Sequence, residues 1–203
     1  MNINTGIEGM ENKLKIVFAT GNMHKVHEVN DIAKDSGIEF IMPPIGFDPV
    51  EDGNTFLKNS YIKAREAAKI SKNIALADDS GLCVEALNGE PGIYSARYDS
   101  TPQKRIDKLL TNLAPFGNRS AKFVCAMTLV DKSGNIIHQV VGECRGKISE
   151  AQSGSNGFGY DPVFIPDGYD KTIADMSEEL KNQISHRGNA LRMMIKYISE
   201  NII

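Results

Sequence analysis

The chain has 203 residues, with 26 acidic against 23 basic side chains and a formal charge of -3 at neutral pH. A composition of 41% hydrophobic and 24% charged residues excludes a wholly disordered chain and suits one domain or two closely joined lobes. The acidic balance argues against a protein built to grip nucleic acid.

Residues 1–12 are polar, contain glycine and lack the apolar stretch of a leader, so they are expected to form a flexible extension ahead of a single two-lobed domain over 13–203. Lys15 to Thr20 is a short β-type apolar run and predicts a buried strand, broken by Gly21-Asn22. Over 25–36 the spacing of Val26, Val29, Ile32 and Ala33 predicts a helix stopped by Gly37. A second strand is expected over 38–42, then a loop over 45–54. Residues 55–71 form the strongest helical pattern, capped by Asn54 or Thr55. Ile74 to Ala77 reads as a strand with Asp78-Asp79-Ser80-Gly81 at its end. After a turn-rich stretch over 88–95, a helix is expected over 102–113. Strands over 121–130 and 136–146 flank a Gly-containing loop and predict a hairpin. An irregular Gly/Ser/aromatic segment over 153–161 precedes a strand at 163–165 and helices over 177–183 and 187–199. This order predicts an α/β fold with an elongated mixed sheet flanked by helices, and two lobes with a central substrate cleft.

No apolar run is long enough to span a bilayer, so no membrane partner is expected. The three cysteines, Cys83, Cys125 and Cys144, are odd in number and show no zinc-ligand spacing. That pattern belongs to a reducing compartment, and cytoplasmic residence is the expectation.

Five segments can carry chemistry. In Thr20-Gly21-Asn22-Met23-His24-Lys25 a strand ends, a glycine turn follows and a helix opens, which aims backbone N–H groups at an anion. The run lacks the glycine and lysine spacing of a P-loop, and an ordinary βα turn explains it as well. Asp78-Asp79-Ser80-Gly81 stands where α/β proteins place ligands, and alternation sends its carboxylates to opposite faces. One of them can hold Mg²⁺ or orient water; an Asx turn is the plain alternative. Glu51 can supply a second carboxylate and Lys63 can reach a phosphate, although locally a solvated acidic loop is the stronger reading and most helix lysines simply face water. In Gly157-Phe158-Gly159-Tyr160-Asp161, aromatics between glycines can stack on a base, or can pin the loop to the core. Lys181 and Ser185-His186-Arg187 place donors at a break between helices, where capping is the alternative role.

The runs ATGNMHK (19–25), ADDSGL (77–82), GEPGIYSARY (89–98), GFGYDPVF (157–164) and SHRGNAL (185–191), in this order and spacing, resemble the inosine triphosphate pyrophosphatase family from about Leu14 to about Ile198. The resemblance implies hydrolysis of non-standard purine nucleoside triphosphates (ITP, dITP, XTP) to monophosphate and pyrophosphate, usually by a homodimer. It implies Thr20, Gly21, Asn22, Met23, His24 and Lys25 on the triphosphate with Lys63 nearby, and Glu51 and Asp79 around Mg²⁺. Asp79 would accept a proton from water and Ser80 would touch substrate. Phe158, Gly159, Tyr160 and Asp161 would hold the base, completed by Lys181, His186 and Arg187. Two other readings remain: a pyrophosphatase for modified pyrimidine or methylated nucleotides, and a non-hydrolytic purine nucleotide sensor. The segment Asp99-Ser100-Thr101-Pro102 is shorter than in many relatives, which puts the local loop and a dimer edge in doubt.

Overall fold

The computed structural model describes residues 13–203, with the His24 side chain excepted. The expected extension over 1–12 and the contacts of His24 therefore lie outside the described residues.

The elements follow in the order β1 (Leu14–Phe18), α1 (Met23–Ile32), β2 (Ile38–Ile41), α2 (Phe56–Ser71), β3 (Ala75–Val84), α3 (Pro102–Leu113), β4 (Ser120–Val130), β5 (Ile136–Ile148), β6 (Phe164–Pro166), α4 (Glu178–Ile184) and α5 (His186–Asn201). A short 3₁₀ segment over Gly92–Arg97 lies between β3 and α3. The six strands form one mixed sheet in the order β2-β1-β3-β4-β5-β6. β1 runs parallel to β2 and β3, and from β3 to β6 every neighbouring pair is antiparallel. The hairpin of β4 and β5 is as the sequence predicts.

Local chemistry sets the helix starts. Thr55 accepts a hydrogen bond from the Lys58 amide, Thr101 from that of Lys104, and Ser185 from that of Gly188. Each satisfies an amide that a first helical turn leaves without an intrahelical partner. α2 ends at Lys72 in the left-handed region, and Gly37, also left-handed at φ 72°, turns the chain into β2.

The largest departure from expectation is β3. The sequence predicts a strand of four residues ended by the acidic run, whereas β3 continues to Val84 and Asp78 to Gly81 lie in its middle. The run stays extended because both carboxylates find partners from other elements, Ser80 donates to Asp78 within the strand, and the ladder with β4 supplies the backbone bonds from Ala75 through Val84. α1 also begins earlier and ends earlier than the predicted 25–36, and β5 runs two residues past 146.

Sheet alternation sorts the side chains into layers. Ile16, Phe18, Leu76, Cys125, Met127 and Leu129 pack against α1 and α5. On the same face, further along β3 and β4, Leu82, Val84, Ala121 and Phe123 pack against Ile106, Leu109 and Leu113 of α3. The opposite face presents Val17, Ala19, Ala75 and Ala77 to the alanine-rich side of α2. Two apolar clusters thus share one sheet face, and the seam between them falls at Asp78, Ser80 and Phe123.

Candidate active site

β3 delivers its adjacent carboxylates to opposite faces, as strand periodicity requires. Asp78 shares the face of Leu76, under α1 and α5. It is 1% exposed, accepts hydrogen bonds from Lys25 Nζ at 3.2 Å to each oxygen, and accepts from Arg187 Nε and Nη2 at 3.2 Å. Burial alone would raise its pKa, but Lys25, Arg187 and Lys63 outweigh burial and hold it well below the usual carboxylate range. Asp78 is a permanent anion that neutralises two cations of the site.

Asp79 shares the face of Ala77, under α2. Asn59 Nδ2 donates to it at 3.1 Å, and Lys63 Nζ stands 3.7 Å away. Burial raises its pKa, and Lys63 and Asn59 do not fully offset that rise. The same Lys63 ammonium lies 3.1 Å from Glu51. Burial disfavours the Lys63 charge, but the surrounding Asp78, Asp79 and Glu51 raise its pKa on balance. Glu51, Lys63 and Asp79 therefore form one cluster. Gly53 makes it possible: a Cβ there would run into the side chain of Asn59.

Among the described residues no three His, Cys, Asp or Glu side chains converge as a metal cage. Glu51 and Asp79 offer only carboxylate oxygens. This set fits a hard divalent cation that draws its other ligands from phosphate and water, and does not fit a closed zinc site.

The turn after β1 keeps its expected form. Thr20 Oγ1 accepts from the Asn22 amide at 3.1 Å, Asn22 carbonyl receives the Lys25 amide at 3.1 Å, and α1 opens at Met23. A cavity of about 360 Å³ is lined by Thr20, Gly21, Asn22, Lys25, Glu51, Lys63 and Asp78. Met23 is exposed and does not line it.

A second cavity, of about 200 Å³, opens at the seam. Its walls include Ser80, Leu82, Phe123, Phe158, Gly159, Tyr160, Asp161, Lys181, His186 and Arg187. Phe158 is 55% exposed, with the Lys181 ammonium 4.4 Å from its ring centroid. Asp161 is buried and accepts from Lys181 Nζ at 2.7 Å and from the Phe158 amide at 2.9 Å. Tyr160 is buried and its hydroxyl donates to the Ser95 carbonyl at 3.0 Å, so the structure uses that hydroxyl to pin the loop. A third, larger cavity of about 540 Å³ adjoins Phe158 and Lys181, and Lys25 lines all three.

The last turn of the seam comes from α5. Burial, reinforced by the neighbouring Arg187 charge, drives the His186 pKa well below its usual value, so the imidazole is neutral. It stacks on Phe123 with centroids 4.8 Å apart, and its Nδ1 is buried with no partner among the described residues. Arg187 is fully engaged, with Nε and Nη2 on Asp78 and Nη1 on Glu28 at 2.9 Å.

The structure thus places the predicted residues at two cavities that share Lys25, apart from Met23, the undescribed His24 side chain and Asp79, which lines neither and meets the first only through Lys63 and Glu51. It adds Asp78 as counter-ion, with Glu28, Asn59 and Phe123, which sequence reasoning passed over. Asn59 carried a weak signal: a poor helix former near the start of a strong helix, four residues before Lys63, on the face that α2 buries. Phe123 carried none, because an aromatic in a strand reads as core.

A model of the Ham1 family matches residues 16–197. A dITP/XTP pyrophosphatase of Prochlorococcus marinus (strain NATL1A) is 44% identical over 185 residues, covering 91% of this chain and 94% of its own length. A dITP/XTP pyrophosphatase of Treponema denticola is likewise 44% identical, with 91% of this chain and 98% of its own covered. The solved structure of a HAM1 protein from Coxiella burnetii superposes with a TM-score of 0.83 at 38% identity, covering 92% of this chain and 99% of that one. The Ham1 protein of Staphylococcus aureus gives a TM-score of 0.82 at 39% identity, covering 92% and 98%.

Proposed function

The chain belongs to the Ham1 family, and from that membership we propose that it is a pyrophosphatase that cleaves non-standard purine nucleoside triphosphates such as dITP, ITP and XTP to the monophosphate. The observation that carries the reading is the pairing of two cavities through Lys25. One is rimmed by the β1–α1 turn, Lys63 and Glu51 and suits a chain of phosphates; the other has an aromatic ring and convergent polar groups and suits a base.

The proposed chemistry follows from what each group can do. The Gly21 backbone N–H, with Lys25 and Lys63, binds the phosphates, while the Asn22 N–H stays on Thr20 Oγ1 and holds the turn. Glu51 and Asp79 would hold Mg²⁺, which would supply charge neutralisation on the phosphate chain. Asp79 is the proton acceptor for the attacking water, and burial raises its pKa, which strengthens it as a base. Ser80 contacts substrate from the opposite face of β3, in the second cavity. Phe158 stacks on the base, and Lys181 and Asp161 frame its edge. Neutral His186 can donate one ring N–H to a carbonyl at position six of hypoxanthine or xanthine. The amine of adenine would meet that donor unpaired, which costs binding. With its three nitrogens engaged, Arg187 holds the wall in place.

The same reading extends to the molecule. We infer a single two-lobed catalytic domain, working as a homodimer in the cytoplasm. No helix among the described residues is long and apolar enough to cross a membrane.

Pyrophosphate release from ITP, dITP, XTP, ATP and GTP, with Mg²⁺ and with chelator, tests the proposal. Metal-dependent pyrophosphate from the first three, little from the last two, and a drop of about 10²-fold or more in Asp79→Asn are expected. Orthophosphate as the sole product would mean a different bond is cut. Turnover only of modified pyrimidine or methylated nucleotides, or binding of purines without turnover, would replace the reading by one of its two rivals.

A further inference from the structure

A donor aimed at position six of the purine ring leaves one problem unsolved. Guanine carries the same carbonyl there as hypoxanthine and xanthine, so such a donor accepts GTP as readily as ITP. These three bases differ at position two, which bears hydrogen in hypoxanthine, a carbonyl in xanthine and an amine in guanine. A site that spares GTP needs a group that reads position two.

The base cavity holds a group of the required chemistry outside every motif that marks the site. Arg105 lies in the first turn of α3 and lines the cavity beside Ser95, Ala96 and Tyr160. Its Nε donates to the Asp99 carbonyl at 3.0 Å, which fixes the side chain's direction. Neither Nη nitrogen has a hydrogen-bond partner or an acid within ion-pair distance among the described residues. This sets Arg105 apart from the other cations at the base end, because Lys181 is tied to Asp161 and Arg187 to Asp78 and Glu28. Its charge is also close enough to the buried Tyr160 hydroxyl to oppose the rise that burial imposes on that group. The donors reach the cavity from separate elements: Lys181 and His186 from α4 and α5, Arg105 from α3.

We propose that Arg105 is a specificity-determining residue that reads position two of the purine, favouring a carbonyl there and opposing an amine. The inference rests on the pyrophosphatase reading above and extends it to a second ring position. A guanidinium donates and cannot accept. The carbonyl of xanthine pairs with it, hydrogen leaves it to water, and the amine of guanine sets donor against donor and loses its own hydration. Xanthine also loses a ring proton more readily than hypoxanthine, and a fixed cation favours the resulting anion.

The test is kcat/KM for ITP, XTP and GTP with Mg²⁺, in the native chain, Arg105→Gln and Arg105→Ala. Equilibrium titration of XMP, IMP and GMP onto the same proteins gives a readout that does not depend on turnover. Arg105→Gln keeps an amide that can still donate to Asp99, so it guards against mere loss of the loop. The expected result is a fall of about tenfold or more in the XTP-to-ITP ratio, with a rise in the GTP-to-ITP ratio, and the same order in the titrations. Parallel changes for all three bases, or unchanged ratios, would reduce Arg105 to a brace for Asp99 and overturn the proposal while leaving the pyrophosphatase intact. A native chain that releases pyrophosphate from none of the three would overturn both.

Discussion

Replacing Asp78 with Asn leaves Lys25 and Arg187 facing a neutral group inside the protein. Breaking one side of a buried, hydrogen-bonded ion cluster typically costs about 3–5 kcal/mol, far more than a surface pair is worth. Asp78→Asn should therefore show a large loss in urea or thermal denaturation, while Lys15→Ala, which removes an exposed pair with Glu39, should change stability by about 0.5 kcal/mol or less. Near-equal losses would contradict the assignment of Asp78 as a buried counter-ion. His186 makes the opposite kind of demand on pH. Its folded pKa is depressed below the usual 6.5, so below about 6.5 the unfolded chain takes up a proton that the folded chain refuses. Stability contributed by His186 is complete above that value and falls with acidification by about 1.4 kcal/mol per pH unit until the folded pKa is reached. Asp78 stays ionised across that window and adds no slope there. Denaturation from pH 5 to 8 should show a slope that His186→Gln abolishes; a slope of equal size in that variant would assign it to other groups.

At the scale of elements, α5 can deliver His186 and Arg187 only because β5 carries no side chain where the two meet. A Cβ on Gly142 would collide with the His186 carbonyl and the Ala190 amide, both backbone groups that cannot swing aside. Gly142→Ala should cost about 1–3 kcal/mol by overpacking, and should raise KM for ITP more than it lowers kcat, since α5 carries the base wall. A native-like midpoint and KM would show that α5 has room to shift. The elements themselves were largely legible in the sequence, because apolar spacing reports which face of a helix or strand is buried. What escaped was β3 past Ala77. Asp78-Asp79-Ser80-Gly81 has the composition of a turn, and only partners far away in sequence, Lys25 and Arg187 on one side and Asn59 and Lys63 on the other, hold it as a strand. The site was legible for a different reason: its βα turn, acidic pair and Gly-aromatic loop have local chemistry of their own. Glu28, Asn59, Phe123 and Arg105 acquire significance from packing alone, and local patterns do not report packing.

Over the whole molecule, β4 belongs to both apolar clusters on its face, with Phe123 in one and Cys125, Met127 and Leu129 in the other. Neither cluster can come apart without exposing part of the other. Heat or urea should therefore give one cooperative transition by fluorescence and by circular dichroism alike, and two separated transitions would mean the lobes fold independently. If the chain is a dimer, the midpoint should rise with protein concentration, and a monomer mass in sedimentation at micromolar concentration would refute that state.

The grip of Asp78 on Lys25 also says something about what can enter and what must leave. With no nucleotide present the lysine is already matched by a carboxylate, so an arriving anion has to win it in competition. A triphosphate bears enough charge to do so, and a nucleoside monophosphate bears far less. If Lys25 takes the phosphate chain as proposed, cleavage divides that charge between a monophosphate and pyrophosphate, and Asp78 recovers the lysine only when the pyrophosphate has left, so release of the inorganic product is the step that Asp78 assists.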